Sequence, residues 1–208
     1  MDSYQKVEKK DLDFLCGLVG PKNVIYSDHE LLKAYSHDEV ADPSYASMPE
    51  VVVKPAGAEE VSAIMKYANK RRIAVTPRGA GSGLSGGAVP LYGGILLSTE
   101  RMNRIIEIDC DNMIAILEPG VVTNDFNNEL QNEGLFFAGY PMSLKMCYIG
   151  GNVTENAGGG RAVKYGVTGR YIVGLEVVMP TGEICTYGGK RVKDVTGYNM
   201  IQLMVGSE

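Results

Sequence analysis

The chain holds 208 residues, 45% apolar and 22% charged, an ordinary globular balance with room for one domain or two small ones that excludes a disordered or fibrous chain. Twenty basic against 25 acidic residues give a net charge of −5 without any Lys/Arg block, which argues against a nucleic-acid partner. No apolar run approaches the ~20 residues of a transmembrane segment, and the first fifteen residues lack the continuous apolar core of a signal peptide.

In chain order, residues 7–19 read as an amphipathic helix with Val7, Leu12, Leu15, Leu18 and Val19 on one side. Ser27-Asp28-His29-Glu30 has the pattern of a capping box opening a second helix through Leu31 and Leu32. Asp38–Pro49 has no period and is expected to wrap over the surface. Val51–Val53 is a strand, Ala58–Arg72 a helix with Val61, Ile64, Met65 and Ala68 inward, and Ile73–Thr76 a second strand, together a βαβ unit with a right-handed crossover. A glycine loop over 78–87 follows, then strands at Ile95–Ser98, Ile105–Ile108 and Ile114–Leu117, the last two joined by a turn at Asp109–Asn112. Thr123 is placed as the N-cap of a helix running to about Gly134. Tyr171–Met179 is a long strand, turned by Pro180-Thr181-Gly182 into a partner at Glu183–Tyr187, and a last helix starts at Thr196 or Gly197.

Four cysteines (Cys16, Cys110, Cys147, Cys185) without a CxxC pair, beside only His29 and His37, point away from a zinc site or a disulfide framework and fit a reduced, cytoplasmic setting. Neither histidine has an obvious partner base, and both are expected to be surface or packing residues. Glycine is the abnormal residue, 26 of 208 against a usual ~7%. Seven lie between Pro77 and Gly94 and seven between Gly150 and Gly169, so the excess is local. Loops of this kind let backbone N–H groups approach a ligand closely.

Three phosphate-loop readings compete. A Walker loop needs Gly-Lys-Ser/Thr, which the chain lacks. Gly81-Ser-Gly83-Leu-Ser-Gly86 matches GxGxxG literally, but the continuation through Pro90, Gly93 and Gly94 cannot form the helix that a Rossmann site requires. The third reading is a free-standing backbone cradle for a dianionic cofactor, with Arg78 at its mouth supplying a charge-assisted bond. In the second loop Asn152 and Asn156, four apart, share a face if that stretch is a helical turn, and amides can both donate to and accept from a heterocycle edge.

Val52–Pro55 (VVKP), Pro77–Gly87 (PRGAGSGLSGG), Ile149–Gly159 (IGGNVTENAGG), Lys193–Tyr198 (KDVTGY) and the closing Gly206-Ser207-Glu208 occur in an order that resembles the FAD-binding domain of the vanillyl-alcohol oxidase, or PCMH, type. Within it, the glycolate oxidase subunit and D-lactate dehydrogenase group of 2-hydroxy-acid oxidoreductases is the most similar branch. The resemblance implies an α+β fold of two packed α/β subdomains with FAD in the groove between them. It divides the chain into an N-terminal helical segment (1–48), a first FAD-binding subdomain (49–108) and a second (109–208), truncated at its C-terminal end, with the substrate domain absent.

The same resemblance assigns Arg78, Gly79, Ala80, Gly81, Ser82, Gly83 and Ser85 to the FAD phosphates. It assigns Pro141, Ser143, Gly150, Gly151, Asn152, Asn156 and Ala157 to the flavin end. Some relatives attach FAD through a histidine in the first loop; Ser82 stands at that position here, so noncovalent FAD is expected. The implied activity is oxidation of a 2-hydroxy acid of D-lactate or glycolate type by hydride transfer to the flavin. Electrons then pass to an accepting protein or quinone, such as an electron-transfer flavoprotein or an iron-sulfur subunit. The alternatives are a nucleotide-binding or regulatory module of the same fold without redox activity, and a reductase of the cell-wall precursor type that uses NADPH. A base for the hydroxyl and a cation for the carboxylate are needed; no cluster here supplies them, no metal site is expected, and the catalytic residues are expected beyond Glu208.

Overall fold

Asp11 fixes the start of the first helix, α1 (Lys9–Val19): its Oδ2 accepts from the Glu8 backbone N–H at 2.8 Å, filling a donor that a helix start leaves unpaired. The computed structural model describes residues 4–139, 141–191 and 193–208. By packing, the chain falls into two units, one of residues up to Arg101 with Val177–Cys185, the other of Met102–Glu176 with Thr186–Glu208.

In the first unit α1 is followed by β1 (Val24–Ile25) and α2 (His29–Lys33). The cap of α2 is Asp28 rather than Ser27: Asp28 is the residue with extended backbone, and its Oδ1 accepts from Leu31 N at 3.0 Å. Then come β2 (Val51–Val53), α3 (Ala58–Arg71), β3 (Val75–Arg78) and β4 (Ile95–Ser98). The sheet order is β1-β2-β4-β3, with β2, β4 and β3 parallel and β1 antiparallel to β2. The predicted βαβ unit is present, but β4 inserts between its two strands, Val51 and Val75 both facing Ile95 in register. That neighbour is set by contacts far apart in sequence, which local periodicity does not carry.

Both faces of this sheet are covered, which is why β2 and β4 are continuous apolar runs. Val51, Val53, Ile95 and Leu97 pack with Leu15, Val19, Ile64 and Ala68 from α1 and α3. Val52 and Leu96 point the other way, onto Leu32. Inside the first interface sits one fully buried acid. Asp11 Oδ1 accepts from Tyr67 Oη and from Arg71 Nε, each at 2.7 Å. Burial alone would raise its pKa, but the bonds from Arg71, Tyr67 and the Glu8 N–H outweigh it and hold the carboxyl at about 2.

The second unit opens with an antiparallel hairpin, β5 (Ile105–Asp109) and β6 (Ile114–Leu117), followed by α4 (Thr123–Asn132), α5 (Ile149–Thr154) and α6 (Ala162–Tyr165). Its core is Val121, Phe126 and Leu130, with Ile105, Leu117, Phe137 and Ile149 against them. Thr123 is the first residue of α4 and not its cap; the side chain is fully buried and turned onto Cys147 instead. The expected long strand is shorter, β7 (Gly174–Val178), because Thr168–Tyr171 coil into a single 3₁₀ turn. β7 pairs with β8 (Ile184–Gly188), and the tip of this hairpin belongs to the first unit, where Ser62 Oγ donates to Gly182 O at 2.5 Å and Asn69 Nδ2 to Pro180 O at 3.1 Å. The last helix, α7 (Met200–Met204), starts later than the sequence suggests because Asn199 caps it, accepting from Gln202 N at 3.0 Å.

Candidate functional site

The first glycine loop leaves the end of β3 at the C-terminal edge of the parallel strands, where open α/β sheets place their ligands. From Gly87 the chain turns and enters β4 without any helix, so the literal GxGxxG does not open a dinucleotide-binding helix. Among the described residues, the backbone N–H groups of Ala80, Gly81, Ser82, Gly83 and Leu84 have no hydrogen-bond partner within the protein. Five successive amide donors held at a loop surface are what a backbone anion cradle requires.

Arg78 is not at the mouth of this loop. It is buried, with Nη1 donating to His37 O at 2.7 Å and to Ala88 O at 3.4 Å, and its Cζ lies 5.8 Å from the centre of the Tyr35 ring. Burial lowers the pKa of the guanidinium, opposed by the nearby Asp38 carboxylate and by Tyr35. Its bulk explains Gly81. That residue has φ +72°, and a Cβ built on it would lie 2.0 Å from Arg78 Nη2 and 2.3 Å from Cζ. The loop therefore passes directly over the cation, with glycine where any side chain would collide.

Sequence reasoning missed Asp38, which the aperiodic Asp38–Pro49 segment hid. The segment does run over the surface, residues 41–46 being exposed, but its start is stitched to the glycine loop: Asp38 Oδ2 accepts from Gly86 N at 2.9 Å and Glu39 N donates to Gly83 O at 3.0 Å. Asp38 is 6% exposed. The only signal in the sequence is an acid immediately before a run with no helical or strand period. The next residues, with His37 and Asp38, line a cavity of about 260 Å³ that includes Asp42 and Tyr45. His29 and His37 are exposed, and His37 Nδ1 faces Ser36 Oγ at 3.3 Å.

The second set of candidates lies in the other unit. Pro141 is buried and Ser143 partly exposed, its carbonyl accepting from Met146 N and Cys147 N. Gly150 is the second residue of α5, its N–H donating to Pro119 O at 2.8 Å; a Cβ there would sit 2.6 Å from Pro119 Cβ, so glycine is required for this close approach. Asn152 and Asn156 do not share a helical face. Asn152 is buried within α5 and its Nδ2 donates to Thr123 Oγ1 at 2.6 Å. Asn156 lies past the helix end at φ +50°, where its Oδ1 accepts from Gly169 N at 2.8 Å. Ala157 donates to Asn152 O and accepts from both the amide and the hydroxyl of Thr168. The terminal residues strap onto the same helix, Gly206 N donating to Val153 O and Glu208 N to Thr154 O.

A strand-terminal run of unpaired amides on a mixed helix-and-sheet unit is suited to an anionic ligand. The family model described as FAD binding domain matches residues 49–188, and the chain belongs to that family. It is 45% identical over 189 residues to the glycolate oxidase subunit of Bacillus subtilis (strain 168), covering 91% of this chain and 40% of that protein. It is 47% identical over 158 residues to a D-lactate dehydrogenase of Archaeoglobus fulgidus, covering 76% and 35%. A solved structure of alkyldihydroxyacetonephosphate synthase superposes with a TM-score of 0.83 at 21% identity, covering all of this chain and 38% of that one. The chain spans about two fifths of the length of the curated relatives it matches. Other relatives are described as D-lactate dehydrogenase in Anaerostipes hadrus and D-2-hydroxyglutarate dehydrogenase in Stutzerimonas stutzeri, and the fold is of the PCMH type. No helix among the described residues is long and apolar enough to cross a membrane.

Proposed function

We propose that this chain is the FAD-holding part of a flavoprotein that oxidises a small 2-hydroxy acid of the D-lactate or glycolate class. The observation that carries the reading is the run of five unpartnered amides at Ala80–Leu84 over the buried Arg78 charge. These donors fit a diphosphate, which accepts from successive N–H groups without needing an exposed cation. Gly79–Gly83 and Ser85 meet the phosphates, and Arg78 acts on them from beneath the loop. Pro141, Ser143, Gly150, Gly151, Asn156 and Ala157 form the flavin end, with Asn152 holding α5 in place through Thr123. The functional division into 1–48, 49–108 and 109–208 follows the motifs rather than the packing.

Bound FAD supplies the hydride acceptor for the substrate Cα–H. The chain's own residues bind the cofactor by its phosphates and fix the backbone around its ring end. With Ser82 in the first loop, FAD is held noncovalently there. Four free thiols suit a reducing, cytoplasmic compartment. Anaerobic addition of D-lactate or glycolate to the whole FAD-loaded protein should bleach the yellow flavin absorbance. Bleaching by NADPH and by no 2-hydroxy acid would overturn the reading.

A further inference from the structure

A carboxylate buried beside an anion cradle is out of place on electrostatic grounds, since like charges at short range repel and burial strengthens the effect. Asp38 is such a group, and its bonds show what it does instead. Oδ2 takes the Gly86 N–H at 2.9 Å and Oδ1 takes the Val40 N–H at 3.0 Å. The residues on either side complete the attachment: His37 O accepts from Arg78 Nη1 at 2.7 Å, and Glu39 N donates to Gly83 O at 3.0 Å. Three consecutive residues thus grip the glycine loop at Arg78, Gly83 and Gly86, bracketing the open amides of Ala80–Leu84. Arg78, buried alongside, attracts the Asp38 carboxylate, while the loop above it presents its N–H dipoles.

We propose that Asp38 is a positioning residue for the cofactor: by withdrawing the Gly86 N–H and clamping the loop over Arg78, it sets the shape of the diphosphate cradle before FAD arrives. Preorganised donors bind without having to be ordered at the moment of association, so the clamp should show in cofactor retention. The proposal rests on the reading that Ala80–Leu84 hold the diphosphate.

Two roles for Asp38 predict opposite signs. As a nearby negative charge alone, its removal in Asp38→Asn would tighten FAD; as a clamp, its removal loosens it. In the FAD-loaded protein, Asp38→Asn and Asp38→Ala should release FAD at least tenfold faster. The ³¹P resonances of the bound diphosphate should move towards those of free FAD, while the visible spectrum of the isoalloxazine stays unchanged. A merely structural role would lower the melting temperature without moving the phosphorus signals, and unchanged or slower release would overturn the proposal. A measurement on the unmodified protein decides the matter even where the variants do not fold. Couplings between amide ¹⁵N and phosphorus across N–H···O–P bonds should appear at one or more of Ala80–Leu84 and be absent at Gly86. A coupling at Gly86 overturns the role of Asp38. The absence of any coupling from Ala80–Leu84 with FAD bound overturns the underlying reading instead.

Discussion

Replacing Gly81 by alanine places a Cβ on a residue at φ +72° and 2.0 Å from Arg78 Nη2, a separation no pair of heavy atoms tolerates. The left-handed backbone alone costs about 1–2 kcal/mol for a residue with a side chain. The guanidinium must also shift, giving up its 2.7 Å bond to His37 O. Losing a hydrogen bond from a charged, buried donor costs about 1.5–3 kcal/mol more. The sum, about 2.5–5 kcal/mol, corresponds to about two to four decades in an equilibrium constant. It divides between folding and binding, so both are to be measured: the urea midpoint of the FAD-free chain and the Kd for FAD by fluorescence titration. Gly57→Ala is the control, since Gly57 has an extended backbone and a Cβ there meets nothing within 4 Å. FAD affinity of Gly57→Ala should stay within about twofold of the parent. Equal effects at the two glycines, or an unchanged Kd and midpoint for Gly81→Ala, would refute the claim that this loop is pressed over Arg78.

The buried Asp11 gives a pH signature. Its carboxyl is held at about 2 against an ordinary 3.8, so the pairing stabilises the fold by about 2 kcal/mol above pH 4, and this is lost as pH falls through about 2. Asp11→Asn should therefore lower the urea midpoint strongly at pH 7 and much less at pH 2.5; a pH-independent difference contradicts the assignment. In the second unit, Thr123→Val leaves the buried Asn152 amide without its 2.6 Å acceptor and should cost about 1–3 kcal/mol. Adding Asn152→Leu to Thr123→Val should cost less than the two single changes summed, and strict additivity would show that the two side chains are not coupled. Acid precipitation of the loaded protein should release all flavin into the supernatant, whereas flavin retained on the denatured chain would place a covalent link where Ser82 offers none.

Elements with strong local period were legible: β2, α3, β4 and the β5–β6 hairpin lie where apolar runs and alternation put them. β3 is displaced by two residues because Pro77 and Arg78 join the ladder. A proline, lacking an N–H, is tolerated there since β3 is an edge strand. The family of motifs was legible because glycine at the first loop answers to a local steric demand. What stayed hidden is nonlocal: the insertion of β4 between β2 and β3, and two buried acids, Asp11 and Asp38. Charged residues ordinarily lie outside, and nothing in their neighbourhoods announces the partners 56 to 60 and 48 residues away. Arg78 was found by its position after the strand, but its direction was not, because the carbonyls of His37 and Ala88 that turn it inward are brought to it only by the fold.

The central claim, that the chain's glycine-lined backbone selects FAD, is tested most directly by competition among cofactors. FAD, FMN and NAD are titrated separately into the flavin-free chain under one set of conditions. FAD should bind tightest of the three, because the proposed reading needs both a diphosphate and an isoalloxazine, and it alone carries both. NAD carries the diphosphate without the ring, and FMN the ring without the diphosphate. Tighter binding of NAD than of FAD would contradict the account.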